Sequence, residues 1–181
     1  MKRLVPALLS APTLSLALLA SAASPVFTSL DWVALLPEED YQALLSAPPI
    51  QHTGGDAGGA PIPLQSASAA FGFDEALYST KVRSEYDGQD VSLPGFIVPL
   101  EYDEEQKVTE FFLVPYFGAC IHVPPPPPNQ IVYVRYAQGI AVASIQEPFV
   151  VEGRLSTGIT SNDVALAAYR IEAAGVRLYE E

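Results

Sequence analysis

From about Val82 to the end of the chain, large apolar side chains arrive in short runs rich in Val, Ile, Phe and Tyr, each closed by Gly, Pro or Asn. Such punctuation predicts strands rather than helices. Five runs are distinguishable: Val91 to Tyr102, Val108 to Tyr116, Gln130 to Tyr136, Pro148 to Ser156, and Ala168 to Leu178, the last interrupted at Gly175. In the first, the apolar phase passes from Val91 and Leu93 to Phe96, Val98 and Leu100 across Pro94-Gly95, which predicts a bend or bulge at Gly95. Between the third and fourth runs, Ala137 to Glu147 has room for one short helix. Five strands, the first long and bent, with a helical connector after the third, is the order of an OB-type Greek-key barrel. The expected fold is therefore mainly β, a small OB-like barrel over residues 82–181.

Upstream the pattern differs. Leu36-Pro37 followed by Glu38, Glu39 and Asp40, with apolar Tyr41, Leu44 and Leu45, predicts a short helix whose acids complement its N-terminal dipole. Pro48-Pro49 ends it, so residues 24–50 form an N-terminal helical segment. Residues 51–81 begin with a Gly, Ala, Pro and Ser-rich stretch and read as a linker with room for a short helix. Residues 1–23 carry Lys2 and Arg3, an apolar stretch from Leu14 to Ala20, and the small-x-small site Ala20-Ser21-Ala22. That is the layout of a cleavable signal peptide, and it is too short and too interrupted for a membrane span. The expected location is the periplasm, with no membrane insertion of the mature chain.

Charge narrows the classes of partner. The chain has nine basic and 21 acidic residues, a net charge of -12. Loss of Lys2 and Arg3 would leave seven basic residues against the same 21 acids, or -14. Such a balance opposes phosphate backbones and anionic lipid surfaces. It also argues against reading Phe96, Phe111, Phe112, Tyr116, Phe117, Tyr133 and Tyr136 as a base-stacking platform, so no nucleic-acid partner is expected. Core and barrel-rim positions account for these rings.

The least generic stretch is Val114-Pro-Tyr-Phe-Gly-Ala-Cys-Ile-His-Val-Pro-Pro-Pro-Pro-Pro-Asn129, in the connection from the second to the third strand. Together with Gly95 to Glu101, Val151 to Leu155 and the Leu30-Asp31-Trp32 opening, it resembles the DUF3299 family, uncharacterised exported proteins of Gram-negative bacteria. The resemblance implies an accessory of transport, with a periplasmic or inner-membrane component of a metal-related ABC-type transporter as partner. It carries over no functional residue.

The residues themselves offer three kinds of chemistry. Cys120 and His122, two apart on an extended segment, project to one face with Cα atoms about 6.6 Å apart. Thiolate and imidazole are zinc ligands, so the pair is half a metal site, with Glu101 and Glu110 on the neighbouring strands as candidates to complete it. The same pair could instead act as nucleophile and base of a hydrolase or thiol enzyme, with Asn129 orienting the imidazole. The third reading concerns the prolines. Pro124 to Pro128 predicts a polyproline II rod about 15 Å long. The rod either presents Pro124, Pro126, Pro128 and Asn129 to a partner or simply positions the loop. The plain alternative for Cys120 is a buried thiol packing as a small apolar side chain. A non-enzymatic binding protein is the expected function.

Overall fold

A computed structural model of the chain describes residues 26–46, 72–119 and 126–180. Six strands form one sheet: β1 (Thr28–Ser29), β2 (Asp90–Tyr102), β3 (Val108–Val114), β4 (Val132–Ile140), β5 (Pro148–Ser161) and β6 (Leu166–Leu178). The order is β1-β2-β3-β4-β6-β5, and β5 pairs again with β2, which closes β2 to β6 into a five-stranded barrel. Within the barrel only β4 and β6 run parallel; the other pairs are antiparallel. This is the expected OB-like arrangement. Two short helices, α1 (Glu38–Leu45) and α2 (Phe73–Leu77), precede the barrel and contact each other. No helix among the described residues is long and apolar enough to cross a membrane.

The barrel interior follows strict alternation. Val91, Leu93, Gly95 and Ile97 of β2, Phe111 and Leu113 of β3, Val132 and Val134 of β4, and Val151 and Leu155 of β5 are all buried. The predicted phase change at Gly95 therefore does not occur. Val91 to Ile97 keep one phase, while Phe96, Val98 and Leu100 pack on the opposite face of the strand, in a second apolar cluster. Register irregularities fall later, between Pro99 and Tyr102. Gly95 has another use. It lies where β2 passes from pairing with β5 to pairing with β3, and a Cβ there would sit 2.8 Å from both the Leu113 side chain and the Val114 carbonyl oxygen.

The second cluster joins Phe112, Val114, Ala119, Ile131 and Ala167, flanked by Phe96, Val98, Leu100 and Tyr133. On this side the strands are buried on both faces, so they read as unbroken apolar runs such as Phe111-Phe112-Leu113-Val114. The N-terminal segment adds to the main core: Leu30 and Leu35 are buried in it, and Trp32 packs beside them. Its connections are specific. The Trp32 indole N–H donates to the Pro94 carbonyl at 2.7 Å, and the Tyr169 hydroxyl donates to the Leu35 carbonyl at 2.9 Å while accepting from the Arg83 N–H at 2.6 Å.

The helix expected between Ala137 and Glu147 is absent. β4 runs on to Ile140, which β3 holds through Val108, and Gly139 sits at φ 66°, outside helical space. A loop with turns completes the connection.

Candidate functional site

The loop that leaves β3 contains Cys120, His122 and Pro124, which lie outside the described residues; its two roots lie within them. At the first root the chain turns over the outer face of the barrel. Ala119 is buried there beside Phe112, Val114, Ile131 and Ala167. Phe117, half-exposed, meets Phe96 with ring centroids 6.3 Å apart.

The second root is a polar anchor. Pro126 and Pro127 are buried, and Pro128–Gln130 form a single 3-10 turn. Asn129 is 0% exposed; its amide N–H group donates to Asp40 Oδ2 at 2.8 Å and to the Lys81 carbonyl at 3.2 Å. The Gln130 amide donates to the Trp32 carbonyl at 2.9 Å. The loop is thereby tied to α1, to the segment before the barrel and to the N-terminal strand connection. Asn129 Oδ1 is buried without a hydrogen-bond partner among the described residues.

Asp40 is the residue that sequence reasoning misread. It counts among the acids of the first helical turn, yet it is only 4% exposed, whereas Leu45, expected on the apolar face, is 63% exposed. Helical spacing contained the signal, because Asp40 lies four residues from both Leu36 and Leu44 and so shares their face. Among the proposed docking residues, Pro126 and Asn129 face the protein's own interior and Pro128 is half-buried.

Glu101 and Glu110 are brought together as direct cross-strand partners of β2 and β3. They stand four positions along β3 from Val114, about 13 Å from where the loop departs. The Tyr133 hydroxyl donates to Glu110 Oε2, and Arg135 Nε lies 3.4 Å from Oε1. Burial, reinforced by that hydrogen bond and by the carboxylate charge, pushes the Tyr133 phenol up to about 12. The row continues around the barrel: Glu110 opposes Arg135, Arg135 opposes Glu172, Glu172 opposes Arg154, and Arg154 opposes Asp90. Arg154 grips Asp90 with two hydrogen bonds of 2.9 and 2.8 Å. These are solvated pairs, each contributing about 0–1 kcal/mol. No group of three or more His, Cys, Asp or Glu side chains among the described residues is placed to hold a metal ion.

Taken together, the topology and the anchored loop define a small OB-like barrel with one elaborated inter-strand connection. The chain belongs to the DUF3299 family: the model of this "protein of unknown function" family matches residues 32–178. It is similar to the crystal structure of a DUF3299 family protein from Pseudomonas aeruginosa, with 38% identity, a TM-score of 0.62, and coverage of 87% of this chain and 99% of that one. A small single-stranded DNA-binding protein from Streptomyces coelicolor aligns at 12% identity and a TM-score of 0.31, over 51% of this chain and 95% of that one, a likeness too slight to inform function. No curated protein matches the chain.

Proposed function

We propose that this protein is an exported, non-enzymatic binding module that works in the periplasm beside a metal-related ABC-type transporter, and that the loop carrying Cys120 and His122 is its working part. The observation that carries this reading is the anchoring of both loop roots. Ala119 is sealed into an apolar cluster on one side, and Asn129 and Gln130 are hydrogen-bonded to Asp40, Lys81 and Trp32 on the other. A connection between two strands needs no buried carboxylate beneath it; fixing the root of a working loop is a purpose that such a base serves. Thiolate and imidazole carried between two fixed roots would then bind zinc or a partner at a lower ordering cost.

One observation favours a second reading. The Asn129 amide N–H group is committed to Asp40 and Lys81, and Oδ1 has no donor among the described residues. An acceptor of that kind is what orients the imidazole of a Cys-His-Asn enzyme. Metal content after non-denaturing purification, measured with thiol labelling of Cys120, separates the two. Stoichiometric zinc, lost in Cys120→Ser and His122→Ala, is the expected result. A metal-free, rapidly labelled thiol of low pKa would favour the enzyme. A metal-free, unreactive thiol would sink both chemical roles.

A further inference from the structure

β4 and β6 are joined only where Val132–Arg135 pair with Tyr169–Glu172. Beyond that point they part. From Ala173 to Leu178, β6 is paired on its β5 side alone among the described residues, while the end of β4 returns to β3 at Ile140. A groove of about 410 Å³ opens between the separated ends, lined by Ile140 at the end of β4, by Ala141 just after it, and by Arg177 and Leu178 from β6. Glu147 and Glu180 also line it, and Leu178 is half-exposed, with Ile145 exposed in the adjoining loop. The single cation, Arg177, already has Glu152 at 3.5 Å, so the groove is acidic on balance.

We propose that this groove receives an extended, basic peptide segment of a partner protein, which adds as a strand to the free edge of β6. Three features converge on that occupant. Six residues of strand paired on one side only among the described residues span about 20 Å, and the main-chain groups that alternate residues turn to the open side can be matched in series only by another extended backbone. The apolar wall formed by Ile140, Ala141 and Leu178 takes alternate side chains of such a strand, and the carboxylates of Glu147 and Glu180 select lysine or arginine at the others. The net charge of -12 steers the same partner toward the surface. The groove lies at the Ile140 end of β4, whereas the Cys120 loop enters β4 at its opposite end, Val132, so this surface does not depend on the chemistry proposed for the loop.

The test titrates the full chain with a synthetic octapeptide alternating valine and lysine, and with the same peptide N-methylated at every second residue, which keeps charge but removes edge donors. The unmodified peptide is expected to bind at least about tenfold more tightly than the methylated one and to slow amide exchange over Ala173–Leu178. Glu147→Lys/Glu180→Lys should lose about tenfold in affinity, whereas Cys120→Ser/His122→Ala should lose nothing. Equal binding of both peptides, no binding, or indifference to the rim reversal would overturn the proposal. So would a dimer of the unliganded chain that Glu180→Lys dissociates, since a second copy would then hold the edge.

Discussion

The two halves of the barrel treat their outer faces differently. On β5 and β6 the outward positions include Glu152, Arg154, Arg170, Glu172 and Arg177, none of them buried, although Val150 is buried near them and Ala167 joins the second cluster. On β2 and β3 the outward positions include Phe96, Val98, Phe112 and Val114, which are covered or packed in a second cluster. The first half ends at solvent; the second serves as the seat for the loop root at Ala119. Burial of one sheet region on both faces thus marks where the fold invests in something beyond closing a barrel.

That contrast can be broken by substitution. Phe111→Ala and Phe112→Ala, one inside the barrel and one outside it, should each cost about 3–5 kcal/mol in urea denaturation. A loss below about 1 kcal/mol for Phe112→Ala would mean that the outer cluster is mere surface. Next in size is Asn129→Ala, which strips the buried Asp40 carboxylate of its amide donor and should cost about 1–3 kcal/mol. Asp40→Leu/Asn129→Leu should recover part of that loss, because neither polar group is then left unpaired. A double variant less stable than Asn129→Ala alone would argue against a desolvation origin.

Alkaline titration sharpens the comparison at the seam between β6 and the N-terminal segment. Burial, opposed by the Arg83 backbone N–H and guanidinium, pushes the Tyr169 phenol up to about 12. Its folded value exceeds its ordinary value near 10, so this stabilisation is complete below about pH 10 and is lost as the pH climbs toward 12. Tyr133 titrates in the same window. Stability measured from pH 9 to 12 should fall by up to about 2 kcal/mol more in the wild type than in Tyr169→Phe. Equal slopes would place Tyr169 outside the linkage. The smallest effect is expected on the solvated half: Arg154→Ala should cost less than about 1 kcal/mol and should matter less still in high salt.

The barrel was legible in the sequence because alternation and Gly/Pro punctuation are local signals, and each of the five barrel strands overlaps the run that marks it, although β4 and β5 continue past theirs to Ile140 and Ser161. Gly95 shows where locality fails. Phe96, Val98 and Leu100 suggested a change of phase, but a strand apolar on both faces carries two interleaved patterns, and a single sequence does not say which one faces the barrel. The expected helix before Pro148 failed for a related reason, since pairing with β3 decided the conformation around Ile140. The candidate site was legible in part. The unusual composition of the loop drew attention to Cys120 and His122, but its anchor depends on Asp40, 89 residues from Asn129 in sequence and disguised as a helix-capping acid.

The central proposal is that the Asp40–Asn129 anchor at the root of the loop governs the reactivity of Cys120. It is tested most directly by the alkylation rate of Cys120 in the wild type and in Asn129→Ala under conditions where both are folded. A change of about threefold or more in Asn129→Ala, while amide exchange in the barrel core stays as in the wild type, is the predicted result. Identical alkylation rates in the two proteins would contradict it.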